Sequence, residues 1–256
     1  MATTRQSLTL TWNAVAELFT RPQPVTISMV ALALIIPFYL VIGGVLVPGQ
    51  TVHVPAIWLD QALPVERAWS VIYLSLFLAA LLPVFVVHQQ ELVRRTVNAF
   101  LATWLAAYVF FMAYPTISPR PAGMVMGDDF SAWLLQSIYS SDIRYNCLPS
   151  LHVAQCFLAA LVCDRIHRGV GVAAGLWAVL VGVSTIYTKQ HYLLDVISGA
   201  LLAYLAYCVF LRGYPREATP ELERRLAPLL ALGAVGTYGV MVGIMWIAYR
   251  NGVIIS

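Results

Sequence analysis

The stretch "YNCLPSLHVAQC", Tyr145–Cys156, decides how the rest of the chain is read. A polar loop carrying Pro149 turns there into an apolar run, and the turn delivers Ser150 and His152 just inside the boundary. Proline is tolerated at the first helical position, where its missing N–H is one of the unpaired groups anyway. The sequence therefore predicts a helix that starts at Pro149, with His152 on its first turn. A histidine there lies near water and beside unpaired helix-end amides, a place suited to a proton donor. Taken alone, an interfacial histidine is the simpler reading, so the argument needs the whole chain.

The chain has 256 residues, 60% of them hydrophobic and 11% charged, with a mean hydropathy of +0.78. Soluble domains carry about 25% charged residues, so the composition points to a membrane protein. The formal net charge of +3 is too small to suggest nucleic acid. Cys147, Cys156, Cys163 and Cys208 show no metal-ligand spacing and read as four free thiols. The N-terminal 26 residues are mixed and polar, and the apolar run after them is too long for a typical cleavable signal peptide.

A spanning helix needs about 20 mostly apolar residues. Seven stretches qualify: 27–47, 69–87, 96–114, 150–163 (short, extending to about His167), 170–187, 192–211 and 227–249. The expected fold is an all-α integral membrane bundle of about six core transmembrane helices plus a C-terminal seventh. It forms a single membrane domain over 1–256. Two segments have the apolar spacing of helices lying on the membrane surface. One is the N-terminal segment 1–26, with Leu8, Trp12, Val15 and Phe19. The other, with Phe130, Trp133, Leu134 and Ile138, lies in the loop 115–149, as a lid or as a passive surface helix.

Lys and Arg divide ten to five between alternate loops, which predicts an inside N-terminus. The sparse side is the informative one. Arg120, His152, Lys189 and His191 come from separate loops, yet all fall at that one membrane face.

Three motifs within 114–195 carry the chemistry: "YPTISPRP" from Tyr114, "CLPSLH" from Cys147 and "STIYTKQHYLLD" from Ser184. His191 and Asp195 are four apart and share a helical face. The carboxylate can fix one ring nitrogen and leave the other as a nucleophile. His191 also lies at the start of its span, where helix-end amides and the dipole favour an anion such as phosphate. An aspartate one turn into a bilayer helix is costly without a partner. A structural His–Asp pair is an equally good reading of this motif alone. Arg120 sits between two prolines, and arginine suits bidentate phosphate contact.

In order and together, these motifs resemble the type-2 phosphatidic acid phosphatase superfamily, whose pattern is KxxxxxxRP, PSGH and SRxxxxxHxxxD. Arg120–Pro121 match the end of the first, Pro149–His152 the second with Leu151 in place of Gly, and Ser184, His191 and Asp195 the third. The resemblance implies a phosphohistidine mechanism without metal or cofactor. His191 would be the nucleophile, Asp195 its orienting group and His152 the acid for the leaving oxygen. Arg120, Ser150, Ser184 and helix-end amides would hold the phosphoryl oxygens. Two cations of the pattern are replaced, by Ala113 and Thr185. Lys189, four residues after Thr185, is the expected substitute for one of them, and Arg144 is a candidate for another. The "PSLH" and Tyr192 after His191 also resemble the branch containing fungal inositol phosphorylceramide synthase.

Three readings follow. The first is a lipid phosphate phosphatase. The second is a head-group phosphotransferase with a lipid or polyol hydroxyl acceptor, mildly favoured by the lost cations because a diester carries less charge. The third, of another class, is a lipid transporter, which the clustering of charge at one face argues against. The expected location is a bacterial cytoplasmic membrane, with the site facing the periplasm or exterior.

Overall fold

The computed structural model describes residues 13, 27–47, 49–121 and 127–253, and among these it holds helices and isolated bridges but no strand. The expected N-terminal surface segment lies outside the described residues. The helices are α1 (Ile27–Ile35), α2 (Phe38–Val41), α3 (Trp58–Ala62), α4 (Trp69–Leu74), α5 (Leu76–Val86) and α6 (Gln90–Ala113). They continue with α7 (Phe130–Ser141), α8 (Leu151–Ile166), α9 (Arg168–Tyr187), α10 (Leu193–Phe210) and α11 (Glu221–Arg250).

Among the described residues, five segments are long and apolar enough to cross a membrane: Trp69–Val86, Gln90–Ala113, Arg168–Tyr187, Leu193–Phe210 and Glu221–Arg250. The remaining two expected spans differ for physical reasons. The first is divided: α1 stops before Pro37, α2 follows, and a π-helical turn covers Ile42–Leu46. Proline lacks the N–H that would continue the ladder and restricts the residue before it. The other is α8, with 16 residues, which is shorter than a span because it is the centre of the bundle. It packs against α5, α6, α9 and α10, and between Gln155 and Asp164 it is apolar all round, as a helix walled in by protein must be. Leu158, Val162 and Cys163 are fully buried there. The outer helices turn large apolar residues outward instead, with Val209 74% and Leu232 67% exposed.

The loop 115–149 does contain the expected amphipathic helix, α7. It starts at Asp129, whose carboxylate accepts the Ala132 N–H at 2.9 Å. Leu134 and Leu135 are fully buried. Its other side is gripped by the C-terminal helix: the Phe130 ring lies 5.1 Å from Trp246, and Trp133 Nε1 donates to the Val253 carbonyl at 2.9 Å. The helix is thus a wall, not a passive surface element. The chain around it is fixed by Thr116, whose hydroxyl accepts the amides of Cys147 and Leu148 at 3.1 and 3.0 Å.

Candidate active site

Two helix starts meet at the site. α9 ends at Tyr187, and Lys189 takes a left-handed conformation with φ 53°. The chain folds back so that the amides of Gln190 and His191 both donate to the Thr185 carbonyl. α10 then begins after Tyr192, whose amide donates to Asp195 Oδ2 at 2.9 Å. The same carboxylate oxygen lies 3.3 Å from His191 Nδ1. The Ser150 amide donates to the Asp195 carbonyl at 3.0 Å, tying the start of α8 to the first turn of α10. Gly199 permits this: a Cβ there would stand 2.4 Å from the Ser150 carbonyl oxygen. His152 Nδ1 comes to 3.0 Å from His191 Nε2. Asp195 is fully buried and His191 is nearly so. The expected triad of His191, His152 and Asp195 is therefore brought together.

The start of α8 falls two residues later than expected, at Leu151 instead of Pro149. Ser150 precedes the first helical residue, and its hydroxyl accepts the Val153 amide at 3.3 Å. Pro149 stands before that cap, joined to Leu148 by a cis peptide bond. The reason is that Ser is a strong N-cap and competes successfully with proline for the boundary.

The phosphate-binding candidates are placed less simply. Arg120 is buried, and its guanidinium is already engaged. It donates to the Asp142 carbonyl at 2.8 Å, to Asp142 Oδ2 at 3.2 Å and to Gln190 Oε1, and lies 5.0 Å over the Tyr139 ring. Ser184 Oγ donates to the Val181 carbonyl within its own helix. Arg144 is exposed and donates to the Arg120 carbonyl at 3.0 Å; with Arg120, Gln136 and Tyr139 it lines a small polar recess of about 210 Å³. Tyr192 is buried at the helix start, and burial pushes its hydroxyl pKa up to about 12.

Lys189 corrects an expectation. The helix before it ends at Tyr187, so Thr185 and Lys189 do not share a helical face. Its ammonium donates to the carbonyls of Asp60 and Leu63, at 2.9 and 2.7 Å, and burial lowers its pKa. It ties α3 to the turn before His191. The start of α10 is also less open to an anion than expected, because Asp60 Oδ1 accepts the Leu193 amide at 2.8 Å.

Sequence reasoning missed Gln190, Asp142, Tyr39 and Tyr73. Gln190 Nε2 is buried with no hydrogen-bond partner among the described residues. Asp142 receives the hydroxyls of Tyr39 at 3.4 Å and Tyr73 at 3.2 Å. The Tyr73 ring also packs edge-on against His152, with centroids 5.7 Å apart. The one signal available was that Gln190 adjoins His191 inside a motif.

A cavity of about 680 Å³ opens from this centre. His152, Asp142, Tyr39 and Tyr73 stand among its lining residues, and the remainder is mostly apolar, with Thr96, Ser137, Ser141 and Gln155 as the other polar side chains, walled by α1, α4, α5, α6 and α7. Phe77, Leu81 and Val84 line it while being 55%, 53% and 65% exposed on the outer surface. The cavity therefore opens sideways, where lipid tails would lie.

Cys147, His191 and Asp195 each present one donor atom within 4.8 Å of the others. A sulfur, a nitrogen and an oxygen make a set that zinc accepts. A cation bound through His191 Nδ1 and Asp195 Oδ2 would replace the hydrogen bond that orients the His191 ring.

A bundle of apolar helices around a His–His–Asp centre that opens to a lipid-sized cavity defines a membrane-embedded lipid enzyme. A family model described as the PAP2 superfamily matches residues 49–209, and the chain belongs to that superfamily. It is thus an integral membrane protein of the phosphatase or phosphotransferase type. Comparison with curated proteins and with solved structures found no match.

Proposed function

We propose that the protein is a lipid phosphate phosphatase that works through a phosphohistidine on His191. The observation that carries this is the placement of His191 Nε2 at 3.0 Å from His152 Nδ1, with Asp195 on the opposite ring nitrogen, beside the cavity that His152 lines. Asp195 holds the proton on Nδ1 and leaves the Nε2 lone pair facing the site. The 3.0 Å contact between the two rings leaves no room for a phosphoryl group, so the rings part as phosphorus reaches His191 Nε2. His191 Nε2 forms the N–P bond as the P–O bond to the lipid breaks, and His152 gives its proton to the departing oxygen. His152 then takes a proton from water, which attacks phosphorus and releases His191. The phosphoryl oxygens are held by the Gln190 side-chain N–H and the first-turn amides of α8.

The test is trapping of a radioactive phosphoenzyme from labelled 1-oleoylglycerol 3-phosphate by acid quench. His191→Ala should carry no label. His152→Ala should still become labelled from an activated aryl phosphate, and should lose about 10²–10⁴-fold on a lipid ester, whose oxygen needs the proton. Label that survives in His191→Ala overturns the reading.

A second reading, a head-group phosphotransferase, is favoured by the scarcity of free cation. Arg120 is held by Asp142 and Gln190, and the Lys189 ammonium by two carbonyls. A singly charged diester suits such a site better than a dianionic monoester. Product release from a diester only when a lipid or polyol alcohol is added would select this reading.

A further inference from the structure

We propose that Asp142 selects the lipid in the cavity by accepting a hydrogen bond from a second donor, a hydroxyl or amide N–H, next to the oxygen that His152 serves. The inference rests on the proposed phosphoryl transfer and narrows its lipid partner to a neutral alcohol bearing a neighbouring O–H or N–H.

The argument starts from where the carboxylate stands. Asp142 and His152 both line the cavity, and Tyr73 spans the two, with its ring against His152 and its hydroxyl on Asp142 Oδ2. An alcohol whose reacting oxygen meets His152 therefore brings its neighbouring atoms toward Asp142. A carboxylate is acceptor-only and offers about four lone-pair sites. Oδ2 accepts from Tyr73 and Arg120, each at 3.2 Å. Oδ1 has Tyr39 at 3.4 Å, long for an O–H···O bond. Spare acceptor capacity thus faces a mostly apolar cavity whose other polar side chains, Thr96, Ser137, Ser141 and Gln155, make no hydrogen bond to Asp142, and the Asp142 side chain is 20% exposed. An unmet acceptor in apolar surroundings is costly, and a ligand that supplies the donor recovers that cost. A second anionic group on the lipid would be repelled at the same place. The two tyrosines and Arg120 hold the carboxylate in one orientation, which is what discrimination between similar lipids requires.

Binding of the alcohol needs no chemistry, so the test uses the His191→Ala protein in detergent. The probes are 1-oleoylglycerol and its 2-O-methyl ether, which differ in one hydroxyl donor. The Asp142 protein should bind the free hydroxyl about tenfold more tightly, the scale of one hydrogen bond to a charged group. Adding Asp142→Ala should bring the ratio to one, and adding Asp142→Asn, which keeps a carbonyl acceptor, should restore part of it. A ratio taken on one preparation does not depend on how much of the protein is folded. Tyr39→Phe leaves the Arg120 pair in place and frees Oδ1, so it should preserve or raise the preference. Equal binding of the two probes, no saturable binding of either, or a preference that survives Asp142→Ala overturns the proposal. None of these outcomes bears on phosphoenzyme trapping, so a failure here is separable from a failure of the phosphohistidine reading.

Discussion

Gln190 is the residue whose neighbours say most about how a phosphate is held here. Its carbonyl oxygen receives Arg120, and its N–H group is buried without a partner among the described residues. A buried donor left unpaired costs about 1–3 kcal/mol, so a ligand oxygen is its natural partner. Gln190→Glu keeps the shape and the bond to Arg120 while deleting that donor. Turnover is expected to fall by about 10²–10³-fold, as for loss of one oxyanion donor. Full activity in Gln190→Glu would remove the residue from the site. At this scale the sequence was legible where a role depends on spacing. His191 and Asp195 do meet, as their spacing suggested, but not on one helical face: His191 lies before the α10 cap, and Asp195 Oδ2 reaches back from the first turn to Tyr192 N and His191 Nδ1. Lys189 was misread because its position depends on where α9 stops, and the left-handed turn after Tyr187 leaves no mark in apolar periodicity. Arg120 was singled out between two prolines as a phosphate-binding arginine, but its partner Asp142 comes from 22 residues away in a loop whose path only the packed structure defines.

Among the elements, the junction of α8 and α10 controls the geometry of both histidines. Gly199 makes it possible, since a methyl group there would press within 2.4 Å of the Ser150 carbonyl oxygen. Gly199→Ala must push the two helices apart and strain the Ser150–Asp195 backbone hydrogen bond. Overpacking of this kind costs about 1–3 kcal/mol. The expected outcome is a lower melting temperature in detergent together with a drop in turnover larger than the loss of folded protein explains. Gly233 is a control, because a Cβ there meets nothing within 4 Å. Apolar length identified the outer spans well, since those helices face lipid and must be continuous. It also marked α8, read as a short span from 150 to about His167, and it missed only the division of 27–47. A helix enclosed by protein is freed from the length that lipid demands, and Pro37 divides the other.

For the whole molecule, orientation and metal use are the two properties to settle by experiment. The ten-to-five division of Lys and Arg predicts that the catalytic face lies outside. Cys147, the native thiol of that face, is buried, and burial raises its pKa well above the ordinary range, so it is a poor reporter. Ser140 is exposed on α7. In intact cells Ser140→Cys should react with a membrane-impermeant thiol reagent; labelling only after permeabilisation would reverse the orientation. Turnover should persist after chelation of divalent cations. Loss on chelation with recovery on added zinc would instead assign Cys147, His191 and Asp195 to a required metal and displace the phosphohistidine.

The sideways opening of the cavity past Phe77, Leu81 and Val84 has a kinetic meaning. A lipid entering there diffuses in the plane of the membrane and never crosses water, so the concentration the enzyme senses is a mole fraction. Diluting the substrate with inert lipid, at a constant amount per millilitre, should slow the reaction. Diluting the whole vesicle suspension should leave the rate per enzyme unchanged.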